Sequence, residues 1–521
     1  MHTSHAALPA LILLAGFIPL TAQTTSNQCT GESALVDPSS GSAWNGWGAD
    51  ISNSRFQTSK AAQLAASDVP GLKLKWAFGL AGAKEVFGEP VVAGGRVFVS
   101  DDTGAVYSLD AATGCLYWTF HAEAGVRAAL SIGLDKSSST AYIGDLKANV
   151  YALDAAKGTL LWKTRVDAHP TAHITGAPQI FEDRLYVPVA SSEEGDSTSP
   201  TYPCCSFRGS VVALDRSTGK QVWKTWIIDQ AAKIVAKNSN GVDRWAPAGG
   251  GVWSAPTIDP KRRALYIGTG DSYTTPAAKN TDAIMALDLN SGKILWSVQA
   301  TKNDAWVVGC MGPKPLENCP KGFGPDQDFG SPPILHELPG GRTLLIAGQK
   351  SGNVWAYDPD KKGAIVWRTA LVNNTKEFGS KLLWGGATDD ETAYFGLGTG
   401  GIAALTIRNG ERKWFTPLAP DEARKRYGSH SGPLTAIPGV IFSGGYDGVV
   451  RALAASDGKV VWQFDTVREF QTVNGVPAKG GSIGSAGPVV AGGTLFVPSG
   501  YVGVTDTMPG NVLLAFRASG E

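Results

Sequence analysis

One pattern recurs seven times along this chain of 521 residues. Each copy is an alternating apolar strand, a short turn closed by Gly, and a second strand that ends in Trp. The copies read VYSLDAATGCLYW from Val106, VYALDAAKGTLLW from Val150, VVALDRSTGKQVW from Val211, IMALDLNSGKILW from Ile284, VWAYDPDKKGAIVW from Val354, IAALTIRNGERKW from Ile402 and VRALAASDGKVVW from Val450. Gly suits a turn that needs positive φ, and the Asp of the first five copies can accept hydrogen bonds from turn amides. Repetition of one unit predicts a repeat architecture.

Two more strands usually precede each copy, as in EPVVAGGRVFVSDDTGAVYSLD, which gives the four antiparallel strands of a propeller blade. The strand-ending Trp residues stand at positions 76, 118, 162, 223, 296, 367, 414 and 462. LKLKWAF near the N-terminus has the Trp strand but no partner before it, and NVLLAF near the C-terminus has the preceding strand without a Trp. We therefore predict an all-β fold. It is a single eight-bladed β-propeller over residues 24–521, closed by pairing of the N- and C-terminal strands.

The recurrent Trp residues are interpreted as packing between adjacent blades, because a bulky ring at a fixed place in every unit buries a large apolar area. Their spacing carries the functional information. It is 42 and 44 residues at first, then 61, 73 and 71 between Trp162 and Trp367, then 47 and 48. The insertions predict that the functional site is built mainly by that middle stretch.

The first residues predict where the protein works. LPALILLAGFIPLTA is an apolar run of signal-peptide length followed by the polar QTTSNQ, so residues 1–23 are predicted to be a secretory signal cut near Ala22 or Gln23. No later stretch is apolar enough to span a bilayer. Basic and acidic residues balance at 46 each, which indicates neither nucleic acid nor an anionic membrane as partner. We expect a periplasmic or secreted protein in an oxidising compartment where disulfides persist.

Three local motifs stand out from the repeat. They are GGGVWSAPTIDPKRRALYIGTGD at 249–271, TYPCCSFRG at 201–209 and ATKNDAWVVGC at 300–310. With the repeat, and from WNGWGADISNSRFQ at Trp44 to the last strand, they resemble the pyrroloquinoline quinone (PQQ) dependent alcohol dehydrogenases, most closely the polyvinyl-alcohol dehydrogenase branch. The resemblance implies PQQ and Ca²⁺ as cofactors.

In that family, the Trp of a Gly-rich turn lies flat beneath the cofactor, and an Asn or Asp after GTG binds the metal. The matching positions are Trp253 and Asp271. The chemistry agrees, since a planar quinone gains from an aromatic face and a hard cation prefers carboxylate oxygen. The alternatives are one more packing indole and a turn-stabilising Asp.

The adjacent cysteines raise a different expectation. A disulfide between neighbours closes an eight-membered ring and contributes little loop entropy, so its value lies in its shape. The resemblance implies that Cys204 and Cys205 form a flat plate on the cofactor face opposite Trp253. The alternative is that each is free or bonded elsewhere. The methanol-oxidising relatives carry GAE at this point, with a metal-binding Glu, and that carboxylate is expected to be missing here.

The third motif concerns the proton acceptor. Relatives have an Asp in a D-x-W-D segment that takes the hydroxyl proton, and this chain keeps Asp304 and Trp306 but has Val307 at the final Asp position. The resemblance makes Asp304 the candidate base and a metal ligand beside Asp271; the alternative is a turn cap. Cys310 and Cys319 enclose a short loop and are expected to form an ordinary disulfide.

Four further residues would complete the pocket. Arg127 suits the carboxylates of PQQ, Thr175 could bind the cofactor through its hydroxyl, and Lys350 matches the family's basic residue near the reactive carbonyl oxygen. Trp384 is a candidate wall. Taken singly, the first three could also be solvated rim residues, and Trp384 could be packing.

Together these expectations describe an exported dehydrogenase that oxidises an alcohol, secondary or polymeric, by hydride transfer to PQQ with Ca²⁺ as Lewis acid. The chain has no Cys-x-x-Cys-His for a c-type haem, so electrons would pass to a separate acceptor such as a cytochrome c. The alternative is a propeller scaffold of the outer-membrane-assembly type, without cofactor. Such a scaffold needs none of the three motifs.

Overall fold

The computed structural model describes residues 27–30, 35, 41–134, 138–373, 381–418, 426, 428–503 and 507–518. The predicted signal segment lies outside the described residues. Eight four-stranded antiparallel blades form the ring, and the prediction of an eight-bladed propeller is confirmed. Among the described residues, no helix has the length and apolar character needed to cross a membrane.

The blades follow one another along the chain. Their strands are Val91–Ala93, Arg96–Ser100, Ala105–Asp110 and Leu116–His121 (blade 1); Ser131–Leu134, Ser139–Gly144, Asn149–Asp154 and Leu160–Arg165 (blade 2); Gln179–Phe181, Arg184–Ser191, Ser210–Asp215 and Gln221–Trp226 (blade 3); Thr257–Asp259, Ala264–Gly268, Ala283–Asp288 and Ile294–Gln299 (blade 4); Ile334–Glu337, Thr343–Gly348, Asn353–Asp358 and Ala364–Ala370 (blade 5); Ala387–Thr388, Thr392–Gly396, Ile402–Thr406 and Arg412–Thr416 (blade 6); Thr435–Ile437, Val440–Gly444, Val449–Ala454 and Val460–Asp465 (blade 7); and Val489–Ala491, Thr494–Ser499, Val512–Ala518 and Leu72–Gly79 (blade 8).

Blade 8 closes the ring as the sequence predicts. The N-terminal strand Leu72–Gly79 pairs antiparallel with the last strand, Val512–Ala518. First strands of several neighbouring blades contact one another, which places these strands around the central axis.

A few short elements lie outside the blades. They are the α-helices Ser59–Ala62 and Glu193–Asp196, the 3₁₀ turns Val69–Gly71, Val308–Cys310 and Pro359–Lys361, and the hairpins Lys233–Lys237 with Asp243–Ala246 and Glu469–Phe470 with Ala478–Lys479. The two-residue strand Ala172–His173 pairs with the end of Arg184–Ser191 and adds a fifth strand to the sheet of blade 3.

The Gly turn of each repeat packs against the Trp ring of the preceding blade. Gly158 has φ of 71°, and a Cβ on it would lie 2.6 Å from the ring of Trp118, so only Gly fits. The indole of Trp118 also donates a hydrogen bond to the carbonyl of Ala155, 3.1 Å away. The same contact joins Gly219 to Trp162. The Trp residues thus pack between blades, as the sequence predicts.

The N-terminal segment Trp44 to Gln57 crosses the ring along the inner strands of all eight blades. Its hydrogen-bond partners in blades 1 to 8 are Val92, Ile132, Gln179, Ile258, Leu335, Thr388, Ala436 and Val490. This segment plugs the centre of the propeller beneath the site described below.

Candidate active site

A cavity of about 180 Å³ opens on one face of the ring. Two kinds of loop build its wall: loops that join one blade to the next, and loops that join the second and third strands of a blade. In four-stranded antiparallel blades both kinds lie on the same face of the ring. Its lining residues are Arg127, His173, Thr175, Ala190, Ser191, Glu194, Gly251, Trp253, Gly270, Asp271, Tyr273, Asp328, Lys350 and Trp384. Most lie between Trp162 and Trp367, where the insertions predict the site.

Trp253 forms one wall of the cavity and is fixed on several sides. Its indole nitrogen donates to the carboxylate of Asp328 at 2.8 Å, and the Thr175 hydroxyl donates to its carbonyl at 3.0 Å. The ring of Trp384 stands perpendicular to it, at 87° with 5.6 Å between centroids. Because the backbone and the indole are both held, this aromatic surface is preorganised.

Two cations face the same cavity. The Arg127 guanidinium lies 4.5 Å from the centre of the Trp384 ring and makes neither an ion pair nor a hydrogen bond with any described residue. Burial lowers the pKa of Arg127. Lys350 is buried, with Nζ 2.6 Å from Asp326 and 2.7 Å from Asp328. Burial disfavours charged Lys350, but these two carboxylates outweigh that effect and raise its pKa.

Asp271 lies at the cavity wall, and neither of its carboxylate oxygens has a hydrogen-bond partner among the described residues, although only 2% of the residue is exposed. Burial raises its pKa far above the ordinary value, and the carboxylates of Asp328 and Asp282 raise it further. An unpartnered buried carboxylate is costly unless it is protonated or binds a cation. The donor chemistry therefore fits a hard metal ion.

Asp304 lies behind the cavity and does not line it. Its two oxygens accept hydrogen bonds from the backbone amides of Asp326 at 3.2 Å and Gln327 at 2.8 Å. Burial raises its pKa to about 6. The sequence predicts a base and metal ligand at Asp304; the structure places its carboxylate near those of Asp271, which lines the cavity, and Asp282, which does not, and both predicted roles stay predictions.

The chain is similar in sequence to a family of known enzymes. A family profile described as "PQQ: Glucose/ethanol/alcohol dehydrogenase, beta-propeller domain" matches residues 44–310. A polyvinylalcohol dehydrogenase from Pseudomonas sp is 40% identical over 518 residues, which cover 95% of this chain and 80% of that protein. The chain belongs to the PQQ-dependent alcohol dehydrogenase family. It is an oxidoreductase of this family.

Further similarities agree with this family. A polyvinylalcohol dehydrogenase from Sphingopyxis sp. (strain 113P3) is 38% identical over 95% of this chain and 79% of that protein. The solved quinohemoprotein alcohol dehydrogenase ADHIIG from Pseudomonas putida HK5 has a TM-score of 0.72 over 95% of this chain and 83% of that one; at 18% identity this shows a shared fold. A second profile, "Outer membrane protein assembly factor BamB", matches residues 206–446 and 446–521.

The cysteine pair of this dehydrogenase forms a disulfide, as predicted, and packs beside the lining residue Tyr273 without lining the cavity itself. Cys204 and Cys205 are 6% and 0% exposed and are not among the lining residues. The ring exchanges backbone hydrogen bonds with Trp245 on the neighbouring hairpin. It packs in an apolar cluster with Tyr273 and Trp306. The cavity's lining does not include this disulfide, so its predicted position over the cofactor, opposite Trp253, stays a prediction.

A glutamate does reach the cavity of this dehydrogenase, although the sequence was expected to lack one. The adjacent Glu193 and Glu194 point in different directions. Glu193 accepts backbone hydrogen bonds from Ser206 and Phe207, each 2.8 Å long, and so holds the cysteine segment. Glu194 lines the cavity, and burial raises its pKa to about 8 despite the opposing effect of Lys350. The overlooked signal was SSEEG, which begins at the last residue of the second strand of blade 3.

Two further acids of the site were missed because an insertion hides them. The chain leaves the site at Ala305 and returns at Gly324, whose amide donates to the Ala305 carbonyl at 3.0 Å. Asp326 and Asp328 follow this return and lie beside Lys350. Val307 therefore does not leave the site without a carboxylate. The overlooked signal was PDQDFG, an acid pair just before the first strand of blade 5.

Proposed function

We propose that this dehydrogenase is exported and oxidises a secondary or polymeric alcohol by hydride transfer to PQQ, with Ca²⁺ as Lewis acid. When bound, PQQ supplies the two-electron acceptor, and Ca²⁺ polarises its carbonyl. One observation carries the proposal: a single cavity brings together an aromatic wall, an unpaired guanidinium and an unpartnered buried carboxylate, at Trp253, Arg127 and Asp271.

The lining fits a planar tricarboxylate. Arg127 has a free donor fork, which binds carboxylates in bidentate fashion. Trp253 offers its ring as a stacking surface, and Trp384 closes the side. Thr175 fixes the Trp253 backbone and keeps its hydroxyl oxygen available as an acceptor. Lys350 supplies positive charge that would stabilise a developing oxyanion.

The metal would be held on the acidic side of the same cavity. Asp271 supplies unpartnered oxygens, and Glu194 and Asp328 lie on the adjoining wall. Hard cations such as Ca²⁺ bind six to eight oxygen ligands, and carboxylates are the commonest charged ones.

The proton acceptor is proposed to lie on segment 326–328. The hydroxyl proton of the alcohol must pass to a carboxylate as hydride leaves the carbinol carbon. Asp304, the sequence-based candidate, is outside the lining and already accepts two amide hydrogen bonds. Asp328 lines the cavity, and Asp326 accompanies it beside Lys350, whose charge opposes the effect of burial on the pKa of Asp328.

A polymeric substrate is supported by a second opening. A cavity of about 700 Å³ is lined by Thr301, Lys302, Cys310, Met311, Gly312, Phe323, Gly324, Pro325 and Gln327. Gln327 stands between the two acids of the proposed proton-accepting segment, so this broad opening adjoins the reacting centre. Both compared relatives of similar sequence are named polyvinylalcohol dehydrogenases.

Export and a separate electron acceptor complete the proposal. Three disulfides, Cys29–Cys115, Cys204–Cys205 and Cys310–Cys319, support an oxidising compartment. The electrons are proposed to pass to a separate acceptor such as a cytochrome c.

The test is reconstitution of the purified protein with PQQ and Ca²⁺, followed by dye reduction with 2-propanol, 2,4-pentanediol and polyvinyl alcohol. We expect activity that rises toward the polymer, and Asp326→Asn and Asp328→Asn should each lower kcat by at least about 100-fold. Lys220→Gln, on the opposite face of blade 3, is the control. No dye reduction with any alcohol, in protein that binds no quinone, would support the scaffold alternative instead.

A further inference from the structure

Three buried carboxylates face one another behind the cofactor cavity. One oxygen from each of Asp271, Asp282 and Asp304 lies within 4.8 Å of the other two. The residues are 2%, 0% and 0% exposed. Only Asp271 also lines the cavity, so the other two side chains form a deeper layer.

The charge of this group has no visible counterpart. Within the part of the chain that the structure describes, both oxygens of Asp282 and both of Asp271 lack a hydrogen-bond partner. No Lys or Arg among the described residues pairs with any of the three, and Lys350 is engaged by Asp326 and Asp328 instead. Carboxylates buried this closely require either a cation or a shared proton between them.

We infer that Asp271, Asp282 and Asp304 bind a second hard cation of the Ca²⁺ type, separate from the metal proposed at the cavity. Ca²⁺ lies about 2.3–2.6 Å from its oxygen ligands, so ligand atoms on opposite sides of one ion are up to roughly 5 Å apart. The three carboxylate oxygens lie within 4.8 Å of one another, which is inside that limit. Since both oxygens of Asp271 are free, this residue can bridge the deep ion and the cavity-side ion.

The deep ion would position the reacting segment. Asp304 accepts the amides of Asp326 and Gln327, so an ion that holds Asp304 also holds the start of segment 326–328. Gly324 is adapted to this arrangement, because a Cβ there would lie 2.0 Å from the Asp304 carboxylate. Asp304 and Asp282 are therefore positioning residues in this inference, acting through the backbone of the neighbouring segment.

The experiment measures metal in the full chain prepared without PQQ, so its outcome is independent of the proposed catalysis. After dialysis against Ca²⁺ and then metal-free buffer, mass spectrometry should find that Asp282→Asn holds about one Ca²⁺ fewer than wild type. Asp328→Asn, which alters only the cavity-side group, should retain the ion that Asp282→Asn loses. Ca²⁺ should also raise the Tm of wild type and of Asp328→Asn, but not that of Asp282→Asn.

Loss of Ca²⁺ by Asp282→Asn can be told apart from a failure of this variant to fold. Asp282→Asn removes a buried negative charge without changing shape, so in chelator it should melt no lower than wild type. A proton shared between Asp271 and Asp282 predicts no tightly held Ca²⁺ in wild type and no Ca²⁺ effect on either Tm. That outcome, or equal Ca²⁺ retention by wild type and Asp282→Asn, overturns the inference.

Discussion

At the scale of single residues, Lys350 balances the acidic wall of the cavity. It pairs with Asp326 at 2.6 Å and Asp328 at 2.7 Å, and all three residues are buried. Lys350→Met should lower the free energy of unfolding by about 3–5 kcal/mol, since it leaves two buried carboxylates without a cation. Urea unfolding of the PQQ-free protein measures this loss.

The conservative variant separates charge from other effects of the side chain. Lys350→Arg keeps the cation but replaces a compact ammonium by a planar fork, so it should recover most of the stability and only part of kcat. If Lys350→Met were as stable as wild type, Asp326 and Asp328 would have to be neutral in the folded protein, and the proposed role of segment 326–328 would lose its basis.

The site residues that could be predicted are those at fixed offsets from a repeat strand. Trp253 precedes the first strand of blade 4 and Asp271 follows the second, and both line the cavity, while their cofactor and metal roles stay predictions. Asp326 and Asp328 were missed because contact between Ala305 and Gly324 joins positions that are distant in sequence. Nothing in local periodicity reveals such a return.

At the scale of elements, the excursion between Ala305 and Gly324 builds a wall of the open cavity. Cys310 and Cys319 close it with the predicted disulfide, and the Asn318 amide anchors it to the carbonyls of Ser197 and Ser199. Replacing both cysteines by Ser should destabilise the excursion by about 2–3 kcal/mol through loop entropy. The blades should remain folded.

Steady-state kinetics should show a selective effect of this double substitution. KM for polyvinyl alcohol should rise several-fold, while KM for 2-propanol changes little, because Cys310 and Met311 line only the broad opening. Replacing Cys29 and Cys115 by Ser is the matched control, since their disulfide joins the chain near residue 29 to blade 1. Equal KM changes in both double variants would contradict a substrate-binding role for the excursion.

At the scale of the whole molecule, the ring was predictable because successive blades pack against one another through the same two residues, a turn Gly and a strand-ending Trp. Each turn Gly accommodates the Trp of the blade before it, and both residues recur at a spacing the sequence displays. The central plug was not predictable from such a rule. Segment 44–57 has no periodicity, and its partners are the inner strands of all eight blades.

The plug carries a buried ion pair that makes the stability of the whole ring depend on pH. The fully buried Arg55 pairs with Glu89 at 2.6 Å and donates to the carbonyls of Trp47 and Leu434. Burial raises the pKa of Glu89 to about 7 from an ordinary 4.5, and Arg55 only partly opposes this. The folded chain therefore holds a proton that the unfolded chain releases between these two pH values.

Because the folded state binds more protons in this window, the free energy of unfolding should fall as pH rises from about 4.5 to 7, by roughly 3 kcal/mol from Glu89 alone. Glu89→Gln cannot titrate, yet it can still accept from Arg55 and from the Gly487 amide that Glu89 binds at 3.2 Å. Its stability relative to wild type should therefore increase across the window in urea unfolding at successive pH values. A constant difference between the two proteins would mean that Arg55 keeps Glu89 ionised throughout, so that attraction within the plug outweighs burial.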